Sequence, residues 1–155
     1  MRHILLFSVA VLGLYAADES LLTGQWNSMT HGLNSGTKTI EKEYFKFNAN
    51  HTFGIVFLVS VQKGNAYVKD LRIEGTGIWK TRGNILVVVV RDVKVPVAKE
   101  VYGISRSSLQ SIASSFHHKF VNDPVRILVL KRLSPSELIT ENESGQTVQY
   151  RRQQY

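Results

Sequence analysis

The residues that could do chemistry in this chain are a few carboxylates, histidines and arginines set among apolar segments. Glu41 and Glu43 fall on one face of a predicted strand, and Asp92 could face inward beside Arg91. Isolated carboxylates of this kind are more often surface groups or ion-pair members than acid–base pairs. The sequence contains no Gly-x-Ser-x-Gly, no His-Glu-x-x-His and no phosphate-binding glycine loop. We therefore expect a protein that is not an enzyme.

His117 and His118 are the residues that most invite a metal interpretation. They lie in a predicted helix, where adjacent side chains point about 100° apart and do not chelate one ion. The sequence has no cysteine, which excludes thiol catalysis and thiolate zinc sites. We predict neither a metal nor a cofactor.

Basic residues outnumber acidic ones, 19 Lys and Arg against 12 Asp and Glu, for a formal net charge of +7. This balance favours an anionic partner, such as a ligand carboxylate held near a binding site, with Arg126 and Arg91 as candidates. The alternative is that these cations are solvated surface groups. Nucleic acid is not an expected partner, because no basic run alternates with aromatic residues.

Most of the chain consists of short segments rich in β-branched and aromatic residues, separated by turn residues. A hairpin at Arg82-Gly83 would place Trp79 and Leu86 on the same face. Pro96 perturbs the fifth strand, which could resume through Tyr102. The eight predicted strands span 24–32, 42–48, 52–62, 66–80, 85–95, 125–133, 137–142 and 146–152.

One segment changes from strand to helical periodicity. Ser105 is a plausible N-cap, and Asn122-Asp123-Pro124 ends the helix. Its apolar stripe comprises Leu109, Ile112, Ala113, Phe116 and Phe120. Eight consecutive strands joined by short loops, with one inserted amphipathic helix, predict an all-β fold: an eight-stranded antiparallel up-and-down barrel.

The first residues have the pattern of a signal peptide. Arg2 is followed by an apolar run through Tyr15 that is too short to span a bilayer, and Ala16-Ala17 supply small residues for cleavage. We therefore expect residues 1–17 to be a leader and 18–155 to form one soluble domain without a transmembrane segment. An exported chain without cysteine fits a bacterial periplasm or secretome.

Several motifs in this order resemble bacterial lipocalin-like proteins, within the lipocalin and calycin group. They are Leu22-Thr23-Gly24-Gln25-Trp26, Tyr44-Phe45-Lys46-Phe47-Asn48, Gly77-Ile78-Trp79-Lys80 with Gly83-Asn84-Ile85-Leu86, and the ending from Val129 to Arg152. The resemblance implies a barrel with one closed end, where Trp26 is covered by a late arginine. Arg152 is the first choice for that arginine and Arg132 the second. The inserted helix departs from the family, in which a helix usually follows the eighth strand.

Strand alternation also predicts which side chains face the barrel interior. An apolar cavity is one interpretation of this lining, with Gly75 and Gly77 leaving space beside Trp79; a solid core is the other. The two glycines fit a bend in the strand equally well. The predicted ligand-binding residues from this lining are Phe45, Phe47, Phe53, Ile55, Phe57, Leu71, Ile73, Trp79, Leu86, Val88 and Tyr150, and Val59 is expected to face the same way. Arg126 completes the predicted ligand-binding set, as a cation that would hold an anionic head group at the barrel mouth.

Strands three and five are apolar on their outer faces as well, at Val56, Leu58, Val87 and Val89. A half-exposed barrel strand should be polar outside, so this patch needs a cover. We expect the amphipathic helix to cover it, with a homodimer interface as the alternative.

The sequence thus favours an exported protein that carries a small hydrophobic or amphipathic ligand in a barrel cavity, and its basic charge favours an anionic one. The alternative function is a non-enzymatic module that binds another protein through its outer surface. An enzyme working at the barrel mouth is the third and weakest hypothesis.

Overall fold

A computed structural model describes residues 18–94 and 97–153 of the chain. The predicted leader, Met1–Ala17, lies outside the described residues, and so does Pro96. Among the residues that are described, no helix is long and apolar enough to cross a membrane.

The chain folds into a closed antiparallel barrel of eight strands, as the sequence predicted. Each strand pairs with its neighbours in chain order, and the last returns to the first. The barrel strands are β1 (Gly24–Asn34), β2 (Thr37–Phe47), β3 (Thr52–Lys63), β4 (Ala66–Arg82), β5 (Ile85–Val93), β7 (Val125–Leu133), β8 (Glu137–Glu141) and β9 (Thr147–Arg152). A short strand, β6 (Glu100–Tyr102), pairs outside the ring with the start of β4. The expected continuation of the fifth strand through Tyr102 is therefore a separate strand.

The first hairpin is longer than predicted, because β2 begins at Thr37 and not at residue 42. Ser35 and Gly36 both have positive φ, 48° and 78°, which is the conformation of a type I′ turn. This turn matches the twist of the strands, so Asn34 pairs directly with Thr37. The prediction of a turn at Arg82-Gly83 was wrong by one residue. Arg82 pairs with Ile85, which leaves Gly83 and Asn84 in the loop.

Burial alternates along the strands with period two, and the buried set faces the barrel interior. On β3, Phe53, Ile55, Phe57 and Val59 are buried while the residues between them are partly exposed. The same alternation on the other strands gathers one continuous core inside the barrel. Trp79 and Leu86 are both in this core, as the sequence predicted.

The inserted helix, α2 (Arg106–Val121), has the predicted N-cap, since Ser105 Oγ accepts a 3.2 Å hydrogen bond from the Ser108 N–H. Its position differs from the expectation. Phe116 and Phe120 pack against Phe57, which faces into the barrel, with ring centroids 6.2 and 6.3 Å apart. The helix therefore covers a barrel end, and the expectation that it covers the outer patch of β3 and β5 was wrong. The apolar stripe of α2 packs against the buried core at this end of the barrel.

Candidate functional site

One end of the barrel is closed by a clamp around Trp26. The Arg152 guanidinium lies 4.2 Å from the centre of the indole ring. Arg152 also donates to the carbonyl oxygens of Thr23, at 2.7 Å, and Leu21. The indole N–H donates to the Leu22 carbonyl at 2.8 Å. These bonds hold a one-turn helix, α1 (Glu19–Leu22), across the end of the barrel.

A second set of polar contacts ties α1 to the β3–β4 side of the same end. Glu19 accepts a 2.7 Å hydrogen bond from Thr81 and lies 3.2 Å from His51. The hydrogen bond from Thr81 is the main reason that the pKa of Glu19 lies below its usual value. His51 also stacks on Trp79, with ring centroids 4.8 Å apart. Contacts on both sides therefore close this end of the barrel.

Aromatic side chains fill the interior next to the closed end. Phe45 and Phe47 stack at 5.4 Å, and Trp79 meets Phe47 edge-on at 5.5 Å. A Cβ on Gly77 would collide with the Val89 carbonyl and lie 2.8 Å from Phe53. The expectation that Gly77 leaves space beside Trp79 was therefore wrong. The glycine is needed because the backbone of β5 approaches closely at a β-bulge.

Above these rings the barrel wall carries a polar cluster, which we call the Glu43 cluster: Glu43, Tyr150 and Ser28. The Tyr150 hydroxyl donates a 2.6 Å hydrogen bond to Glu43 Oε2, and Ser28 Oγ donates to the same oxygen at 3.4 Å. Tyr150 is buried and touches Phe45 edge-on at 5.8 Å. A carboxylate thus sits on the same strand face as the aromatic lining.

The barrel wall changes the acid–base properties of this cluster. Burial raises the pKa of the Glu43 carboxyl, while the hydrogen bonds from Tyr150 and Ser28 oppose the rise. Burial, followed by the neighbouring Glu43 carboxylate, raises the pKa of the Tyr150 hydroxyl well above its usual value. Tyr150 therefore stays a hydrogen-bond donor over the whole physiological range.

Arg126 projects from β7 towards the same region. It pairs with Val88, a buried inward residue of β5, and its charge is close enough to lower the pKa of both Glu43 and Tyr150. The guanidinium lies 5.0 Å from the Phe120 ring, and one terminal nitrogen donates to the Lys119 carbonyl at 3.5 Å. Its Nε is buried and has no hydrogen-bond partner among the described residues. A buried N–H without a partner is costly, so this atom marks a place where an acceptor would be stabilised.

The predicted lining residues are all brought to the barrel interior, and all but Arg126 are buried. The structure also brings together a group that sequence reasoning did not assemble, since Glu43 and Tyr150 are far apart in the chain and Ser28 was not considered. The available signal was that Glu43 shares the inward face of Phe45 and Phe47. Arg91 and Asp92 do not join the site. Both are exposed, and Asp92 pairs with the outward Thr76 after the bulge in β4 and β5.

Two of the molecule's grooves lie along α2 and on the outer face of the barrel. One, of about 490 Å³, runs along α2 and is lined by Leu71, Ala98, Leu109, Gln110, Ala113, Ser114, His117 and His118. The other, of about 450 Å³, lies on the outer face of β2 to β5, and Tyr44, Val56, Arg72 and Glu74 are among its lining residues. No group of three or more His, Cys, Asp or Glu side chains within the described ranges could hold a metal ion.

No family model matches the chain, and no curated protein sequence matches it either. The closed eight-stranded barrel is compatible with the lipocalin-like fold that the motifs resemble.

Proposed function

We propose that this protein is an exported, periplasmic or secreted, lipocalin-like binding protein. It would hold a small amphipathic anion, such as a fatty acid, inside the barrel without changing it chemically. The observation that carries this proposal is the buried Arg126 Nε, which has no partner among the described residues and belongs to a residue that pairs with the inward Val88.

The head group of such a ligand would accept hydrogen bonds from Arg126. A charge-assisted bond between guanidinium and carboxylate is stronger than a neutral one, and the apolar surroundings strengthen it further. The nearby Glu43 would favour this arrangement in its protonated form, because an ionised Glu43 would repel the anion. The raised pKa of Glu43 makes that form more accessible.

The hydrocarbon part of the ligand would lie against inward residues such as Phe57, Val88 and Val90, which are all buried. Burial of apolar area contributes about 25 cal/mol per Å² before the cost of ordering the ligand. Because Phe116 and Phe120 of α2 rest on Phe57, we expect the helix to move when a ligand enters. In this proposal α2 is a lid.

The test starts from protein purified under native conditions. Organic extraction followed by mass spectrometry should release an amphipathic anion, and thermal shift against a panel of fatty acids should raise the melting temperature. Arg126→Gln should lose the shift, whereas Arg91→Gln, which changes an exposed arginine outside the site, should keep it. No released molecule and no shift with any fatty acid would count against the carrier.

A second candidate function is binding of another protein through the outer surface. The groove on β2 to β5 favours it, because Tyr44 and Val56 give it an apolar floor beside the charged pair Arg72 and Glu74. A homodimer through the outer apolar residues of β3 and β5 belongs to the same class of function. Tyr44→Ala would abolish partner binding in this case and would leave fatty-acid binding unchanged.

A further inference from the structure

The first strand has a long free edge. β1 pairs with β2 along its whole length, from Gly24 to Asn34, without a break in register. On its other side it pairs with β9 only at Trp26 and Asn27. Among the described residues, no strand is paired with this side of β1 from Ser28 to Asn34. The barrel therefore closes at one end of β1, and the rest of that edge carries backbone groups without a strand partner.

The direction of those backbone groups follows from one hydrogen bond. The Gln25 carbonyl accepts from the Gln153 N–H, on the β9 side of β1. N–H and C=O groups of an antiparallel strand alternate between its two sides, so the odd-numbered residues of β1 face the free edge. Met29, His31 and Leu33 thus present their N–H and C=O groups there, while Thr30 and Gly32 pair with β2.

Natural sheets protect free edges with charged residues, prolines or bulges. The segment Ser28–Asn34 has no Lys, Arg, Asp, Glu or Pro, and its pairing with β2 has no bulge. Its largest side chains are exposed: Leu33 by 72% and Met29 by 57%. Ile40, opposite His31 on β2, extends this apolar surface. The edge has the properties of a strand that pairs with another chain.

We propose that this edge pairs antiparallel with the same edge of a second copy of the chain, about a two-fold axis at His31. In that register His31 lies opposite its own copy, and Met29 lies opposite Leu33 of the partner. These are hydrogen-bonded pairs, so each exchanges two bonds, and every free group of Met29, His31 and Leu33 gains a partner.

The side-chain pattern favours a second copy of this chain, and not an unrelated strand, as the partner of the free edge. The spacing of Met29 and Leu33 is symmetric about His31, so the two-fold axis brings an apolar side chain against an apolar side chain on both sides. On the opposite face Thr30 meets Gly32, a pair that leaves room for close approach. A register shifted by two residues loses both Met29–Leu33 pairs and leaves some of the edge groups without a partner.

Amide hydrogen exchange tests the proposal with neighbouring residues as controls. The N–H groups of Met29, His31 and Leu33 should become more protected as the protein concentration rises, by at least about tenfold. The N–H groups of Thr30 and Gly32 should exchange at a rate independent of concentration. Protection of the odd-numbered residues at every concentration would mean that the edge closes on β9 of its own barrel, and this would overturn the proposal. Absence of protection at every concentration would do the same.

Single-cysteine variants test the register, since the natural chain has no cysteine. His31→Cys should form a disulfide-linked dimer at least about tenfold faster than Ile40→Cys, because only residue 31 lies opposite its own copy at a Cα distance suited to a disulfide. Equal rates would contradict the register. Leu33→Lys should weaken association at least about tenfold, and Val97→Lys, at a site exposed by 70%, should not.

Discussion

The Tyr150 hydroxyl is hydrogen bonded at 2.6 Å to the Glu43 carboxylate, although the two residues are 107 positions apart in the chain. The bond joins the last barrel strand to the second, across the small Ser28 of the first strand. It fixes a carboxylate on the aromatic lining of the barrel. The first and last barrel strands, β1 and β9, share few backbone hydrogen bonds. The side-chain bond between Tyr150 and Glu43 therefore helps to hold the barrel closed.

Replacing Glu43 should change how stability depends on pH. Because the pKa of Glu43 is raised in the folded protein, the native state holds its proton to a higher pH than the unfolded state does. Its contribution is present below the unfolded pKa and is lost as the pH rises through the folded pKa. Glu43→Gln should therefore gain stability relative to the natural protein as the pH rises from about 4 to about 8.

Urea unfolding across this range measures the difference. Glu143→Gln is the control, because it removes the same charge from an exposed position. Parallel pH profiles for the natural protein and Glu43→Gln would contradict the prediction.

Tyr150→Phe should lower the free energy of unfolding by about 1–3 kcal/mol, since it leaves the Glu43 carboxylate with Ser28 as its remaining hydroxyl donor. The loss should be larger where Glu43 is ionised. Tyr102→Phe is the control, because Tyr102 is exposed by 61% and lies outside the barrel. Equal stability of the two variants in chemical denaturation would show that the Tyr150 bond contributes nothing.

Arg152→Ala should loosen the closed end. The variant loses the contact with the Trp26 ring and the hydrogen bonds to the carbonyls of Thr23 and Leu21. We expect a loss of about 2–4 kcal/mol in the free energy of unfolding and a change in tryptophan fluorescence. Arg151→Ala removes the exposed neighbour and should have little effect. If both variants unfold at the same denaturant concentration, the clamp is not stabilising.

Substitution by alanine should change the stability of the protein by different amounts at two glycines of neighbouring strands. A Cβ on Gly77 meets the backbone of Val89, which cannot move without breaking the β4–β5 ladder, so Gly77→Ala should cost about 3 kcal/mol or more. A Cβ on Gly54 has no atom within 4 Å, and Gly54→Ala should be close to neutral. Thermal unfolding of both variants measures the contrast, and a tolerated Gly77→Ala would contradict the close approach.

Local patterns predicted the elements of this fold well, because they depend on residues close together in the chain. The period-two alternation of Phe53, Ile55 and Phe57 identified both a strand and its inward face. Ser105 and Pro124 indicated where the helix begins and ends. The place where α2 packs was not predictable in this way, since an apolar stripe does not reveal which apolar surface it meets. The contact with Phe57 depends on how the barrel end is shaped.

The candidate site was only partly predictable for the same reason. Parity placed Tyr150 inside the barrel, and charge alone suggested Arg126 near its mouth, but no local rule pairs Tyr150 with a carboxylate on a distant strand. The short pairing between β1 and β9 was also not predictable from the sequence pattern. The sequence predicted one strand from Gly24 to Gly32, and nothing in it indicates that pairing with β9 stops at Asn27.

The measurement that tests the central claim most directly is calorimetric titration of palmitate into the natural protein, Arg126→Gln and Arg91→Gln. We predict saturable binding to the natural protein and to Arg91→Gln, and an affinity lower by at least about tenfold for Arg126→Gln, because a charge-assisted bond to the head group is lost. Equal affinity for the two variants, or no binding to the natural protein, would contradict a carrier whose anionic ligand is held by Arg126.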